Sequence, residues 1–72
     1  MDKYIFMQLC LQESRQVKID IYDILGRIVC TPIDGEISSG VHEIVLQNLV
    51  PGVYMVRLET DGTNLVRRVL LL

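Results

Sequence analysis

The sequence predicts a small all-β domain, an antiparallel β-sandwich, and three observations carry that prediction. Apolar and polar residues alternate at a period of two, as in Val17-Lys18-Ile19-Asp20-Ile21-Tyr22, which lets one face of an extended strand be buried and the other wetted. Turn-forming clusters recur at roughly 8 to 12 residue spacing, the rhythm of a sandwich of short strands. No segment of useful length shows the period of an amphipathic helix.

Six strands follow, over about Tyr4 to Gln12, Gln16 to Tyr22, Arg27 to Ile33, Val41 to Gln47, Val53 to Thr60 and Thr63 to Leu71. Glu13-Ser14-Arg15 ends the first. Val17, Ile19 and Ile21 form the apolar face of the second, which stops at Asp23. Gly26 then supplies the positive φ that a tight reversal needs, and Arg27-Ile28-Val29-Cys30 returns as the second arm of a hairpin. Asp34-Gly35 reads as the next turn, and Ser38-Ser39-Gly40 leads into the fourth strand. In Leu49-Val50-Pro51-Gly52-Val53-Tyr54, Pro51 presets φ and Gly52 tolerates a positive one, the chemistry of a type II turn. The fifth strand puts Tyr54, Val56 and Leu58 on one face and Met55, Arg57 and Glu59 on the other, the first set facing the core with Val17, Ile19 and Ile21. Asp61-Gly62 suits a type I′ hairpin turn. Arg67-Arg68 interrupts the alternation of the last strand, which reads as a β-bulge or as a strand leaving the sheet.

Seventy-two residues make one domain, and a chain so short buries only about 60% of its unfolded surface. Half of the residues are apolar, more than such a core hides, so apolar surface is expected to stay exposed and to mark an interface. The net charge is −2, and the seven basic residues are scattered except for Arg67-Arg68. Nucleic acid needs a basic stripe, so it is not an expected partner. No apolar run is long enough to span a bilayer as a helix. Tyr4-Ile5-Phe6-Met7 is too short for the core of a signal peptide, and in Met7-Gln8-Leu9-Cys10 the residues before the cysteine are too large for lipoprotein processing.

Catalytic chemistry finds no footing. His42 is the single histidine and has no serine or cysteine at a recognised motif spacing, so it reads as a solvated strand residue. Cys10 and Cys30 are isolated, without a Cys-x-x-Cys pair, and read as small buried hydrophobes rather than as a zinc or disulfide pair. Asp20, Asp23, Asp34 and Asp61 are too dispersed for a calcium loop. No enzyme activity, metal or cofactor is expected.

The order of the motifs is more specific than any one of them. An alternating strand runs into Tyr22-Asp23-x-x-Gly26-Arg27, Gly40 opens a later strand, Leu49-x-Pro51-Gly52-x-Tyr54 opens another, and Arg67-Arg68 precedes an apolar end. In this the chain resembles the type A C-terminal sorting domain of the type IX secretion system of Bacteroidetes, over about Val17 to Leu72 and weakly back to Tyr4. The resemblance implies an immunoglobulin-like β-sandwich of six to seven strands at the C-terminus of a longer secreted protein. Such domains usually begin with an Asn-Pro turn that this chain lacks, so one strand is expected to be missing at the N-terminal side.

The implied function is that of a secretion and sorting signal. It directs a passenger through the periplasm and across the outer membrane to the cell surface, with the outer-membrane translocon and a surface sortase as partners. Asp23, Gly26, Arg27, Pro51, Gly52, Tyr54, Arg67 and Arg68 are the motif and recognition residues carried over. The alternative is a non-catalytic binding or adhesion module, for carbohydrate or protein, although sugar platforms use exposed aromatics and this chain has no Trp. A sandwich short of a strand leaves an unpaired edge, so a homodimer or oligomer through β-edges involving the N-terminal segment is expected.

Overall fold

A computed structural model describes residues 4–72. Six strands are present: β1 (Tyr4–Leu11), β2 (Arg15–Tyr22), β3 (Ile28–Ile37), β4 (Gly40–Gln47), β5 (Gly52–Thr60) and β6 (Thr63–Leu71). β3-β2-β5-β6 form one antiparallel sheet, and β1-β4 form a second, two-stranded sheet. The all-β sandwich read from the sequence is therefore the observed architecture.

Alternation decides the core. Val17, Ile19 and Ile21 of β2 and Tyr54 and Val56 of β5 are buried, joined by Leu71 from β6 and by Ile5 and Ile44 from the smaller sheet. Leu58 packs on this cluster partly buried. Ile21 is wholly enclosed, between Cys30 of β3 and Val56 of β5. The inward set expected for the second and fifth strands is the set observed.

Three local expectations are corrected. Asp34-Gly35 is not a turn: β3 runs through it to Ile37, with Asp34 opposite Lys18 and Gly35 opposite Val17. The pairing with β2, at a φ of 154 that glycine tolerates at position 35, outweighs the turn propensity of the dipeptide. Irregularity sits elsewhere in β3, as register shifts between Ile19 and Ile21 and between Ile21 and Tyr22. Pro32 lies within the first of these, where its missing N–H disturbs no regular ladder.

The second correction concerns Gly52. Its φ of 156 is far from the value near +80 of a type II turn, and the left-handed residue of the β4–β5 loop is Asn48, at φ 62. Asparagine takes that conformation more readily than other non-glycine residues, so the reversal is made three residues before the proline. The third concerns Arg67-Arg68. β6 neither bulges nor leaves the sheet; it pairs with β5 in one register from Thr63 to Leu71. Arg67 falls on the inner face beside Val56 and is exposed there. The second sheet has only two strands, so the inner face of β6 is left largely uncovered and tolerates a cation.

The expected type I′ turn at Asp61-Gly62 is consistent with positive φ at both residues, 48 and 77. The two cysteines are free thiols, but the buried setting expected of both holds only for Cys30, which packs on the core, where burial pushes its thiol pKa up; Cys10 lies on the exposed face of β1. His42 is half-buried rather than fully solvated. It lies in register with Leu9, and its Nε2 donates to the Ser38 carbonyl at 2.8 Å.

Candidate functional site

One end of the sandwich gathers the two motif segments. The β2–β3 turn is organised by Asp23, whose Oδ1 accepts from the backbone N–H groups of Leu25 (2.9 Å) and Arg27 (3.0 Å). Its Oδ2 accepts from Arg27 Nε at 2.9 Å. Two backbone bonds close the turn, Asp23 N–H to Arg27 O at 2.9 Å and Gly26 N–H to Asp23 O at 3.0 Å. Gly26 completes it at φ 82, a conformation that a side chain would strain. The Arg27 backbone N–H, then its guanidinium and the Leu25 N–H, hold the Asp23 carboxyl below the usual carboxylate range despite some desolvation. Asp23, Gly26 and Arg27 are thus one self-contained device that shapes the turn.

The β4–β5 loop is organised from the other side. Tyr54 is buried at the start of β5, and its hydroxyl donates to the Val50 carbonyl four residues upstream. This ties the loop to the sheet much as a tyrosine corner does in immunoglobulin-like sandwiches. Leu49 packs on the core beneath it.

Between the turn and the loop lies a groove of about 430 Å³, lined by Asp23, Ile24, Leu25 and Arg27 on one side and Leu49, Val50 and Pro51 on the other. Gly52 and Tyr54 form part of its floor. Ile24, Leu25 and Val50 are each 74% exposed at its rim. The structure therefore brings Asp23, Gly26, Arg27, Pro51, Gly52 and Tyr54 together, but not Arg67 and Arg68, which sit along β6 on opposite faces of the sheet.

Ile24, Leu25 and Val50 occupy positions that the motif leaves open, and sequence reasoning passed over them. A signal was available: two large aliphatic residues inside a turn, where polar residues are the norm, serve no local need. The long axis of the molecule, 35 Å, is polarised accordingly. Of thirteen exposed large apolar residues among those described, Tyr4, Ile24, Leu25, Ile28, Val29, Val50, Leu70 and Leu72 belong to the motif end. The opposite end carries Glu13, Glu36 and Asp61, with Arg15 bound to Glu13 at 3.1 Å and to Asp61, and Ser14 donating to Glu36 at 2.9 Å. One end is thus largely charged, and the other exposes most of the large apolar side chains.

Comparison with known families decides what kind of domain this is. The family model of the secretion system C-terminal sorting domain matches residues 4–71, nearly the whole chain. The chain belongs to that family. Its members are sorting signals of type IX secretion, which implies export to the cell surface or the extracellular space, and the family is not a class of enzymes. No curated protein and no solved structure gives a significant match. The match reaches back to Tyr4 and so includes β1. No helix among the described residues is long and apolar enough to cross a membrane, and no three metal-ligating side chains converge among them.

Proposed function

We propose that this sorting domain is the C-terminal part of a longer exported protein and is recognised by the outer-membrane translocon through its motif end. The supporting observation is the convergence of Asp23–Arg27 and Leu49–Tyr54 on one groove whose rim exposes Ile24, Leu25 and Val50. Asp23, Gly26 and Tyr54 act there as shape-holding residues, and the aliphatic rim supplies the contact energy. At roughly 25 cal/mol per Å² of apolar area removed from water, three such side chains are ample for a specific weak contact. The passenger then crosses from periplasm to surface, and a sortase removes the domain.

The test is a reporter with a periplasmic signal sequence, fused to this domain and expressed in a host with type IX secretion. Surface display is the expected result, and the Ile24→Asp, Val50→Asp double variant is expected to lower it at least tenfold while keeping the β-sheet circular dichroism of the parent. Reporter held in the periplasm by the unaltered domain would defeat the reading.

A carbohydrate-binding module gains no support: Tyr54 is buried, Tyr22 is half-buried, and Tyr4 and Phe6 on β1 make no platform with a third ring. Self-association belongs to the same proposal. β1 is hydrogen-bonded on one side, to β4, and Tyr4 and Phe6 are exposed beside its free edge. Light scattering at micromolar concentration is expected to return a dimer mass, and a monomer mass would remove this element.

A further inference from the structure

The two edges of the four-stranded sheet are unlike. β3 is broken by two register shifts and carries Pro32, and both features spoil an edge as a template. β6 has neither. Its nine residues pair with β5 without a bulge and contain no proline or glycine. An edge strand turns the N–H and C=O groups of alternate residues outward, and only another extended strand satisfies such a row in full.

Arg67 and Arg68 stand at the middle of this strand. Neighbouring residues of a strand project to opposite faces, so Arg67 lies beside Val56 on the inner face and Arg68 beside Met55 on the outer one. Both are exposed, and among the described residues neither forms an ion pair. Each also borders an apolar hollow. Arg67 flanks one of about 150 Å³ with Met7, Leu9, Leu58 and Leu65, and Arg68 flanks one of about 230 Å³ with Val53 and Leu70.

We propose that the β6 edge receives an extended strand of a protein partner, one that carries two adjacent acidic residues flanked by apolar ones. The added strand continues the sheet by main-chain hydrogen bonding, and its side chains alternate between the two faces. Adjacent carboxylates then fall one on each face, opposite Arg67 and Arg68, while the flanking apolar side chains enter the two hollows. Directly opposed residues on paired strands come close enough for charge-assisted hydrogen bonds. The identity of this partner as a component of the export machinery rests on the sorting reading above; the chemistry of the edge does not.

A second copy of the chain does not fit this edge. Pairing β6 antiparallel with itself about its centre sets Arg67 against the same arginine of the second copy, and opposed like charges are destabilising. The strand acids of this chain, Asp20, Asp34, Glu36, Glu43 and Glu59, each lack an acidic neighbour, so no strand here supplies the complement. The arginines therefore discourage self-pairing and select an acidic strand at once.

The test uses the 72-residue chain and fluorescent nine-residue probes of alternating Val and Thr, with a central Asp-Glu, Asn-Gln or Lys-Lys pair. The Asp-Glu probe is expected to bind about tenfold more tightly than the Asn-Gln probe at low salt, the advantage shrinking at high salt. In the Arg67→Glu, Arg68→Glu variant, checked for folding by circular dichroism, the preference is expected to reverse toward the Lys-Lys probe. Hydrogen exchange should slow along β6 when the probe is bound. Equal binding of the Asp-Glu and Asn-Gln probes, an unchanged preference in the variant, or protection confined to β1 would each overturn the proposal. Reporter export without any probe preference defeats this inference and leaves the sorting reading standing; probe preference without export does the reverse.

Discussion

Ile21→Asp is expected to leave the domain unfolded at room temperature. Ile21 is 0% exposed, and its cross-strand neighbours are Cys30 and Val56, neither of which can pair a carboxylate. Burying an unpaired acid, or shifting its pKa far enough to protonate it, costs about 4 kcal/mol or more. A domain of this size starts with a margin of only about 5 kcal/mol. Far-UV circular dichroism and urea titration decide the matter, and a cooperative transition close to that of the parent would mean that the core has been misplaced. Val56→Asp should be milder although Val56 faces the same core. Arg67 lies directly across from it on the open inner face of β6, so the new carboxylate gains a cationic partner.

Deleting Val69 to Leu72 is expected to abolish both folding and export. Leu71 is buried opposite Gly52, and Val69 packs on the core opposite Tyr54. Removing two such aliphatic side chains forfeits about 3 to 6 kcal/mol of burial, again comparable with the whole stability. The same deletion bares the end of β5 beside Tyr54, whose hydroxyl anchors the β4–β5 loop that lines the groove, so the groove is lost with the fold. Leu72→Ser is the control: Leu72 lies outside β6 and is 75% exposed, so the variant should fold and unfold in urea like the parent. A truncated reporter that still reached the surface would show that neither the closing strand nor the groove it supports is needed.

Much of this architecture is written in local alternation. The period-two pattern of Val17 to Tyr22 and of Val53 to Thr60 determined two strands and which side chains face inward, because a strand presents successive residues to opposite faces whatever surrounds it. Gly26 and Asp61-Gly62 determined their turns for an equally local reason, since a positive φ is cheap for glycine and, to a lesser degree, for aspartate. The family was legible in the order of those same motifs.

Other features depended on partners distant in the chain. Asp34-Gly35 has turn chemistry but stays extended because Lys18 and Val17 lie across from it. Gly52 gives up its reversal to Asn48, in a loop tied to the sheet by the hydroxyl of buried Tyr54. Arg67-Arg68 looks like a break in the pattern and is not one, since the second sheet stops at two strands and leaves the inner face of β6 open to a cation. The strands, most of the turns, the inward faces of β2 and β5 and the family all follow from neighbours along the chain. That two motifs more than twenty residues apart share one groove, and that two adjacent arginines lie on opposite sides of a free edge, emerges only when the strands are assembled. Those arrangements depend on which strands pair and how far one sheet covers the other, a competition among long-range contacts that no local pattern records.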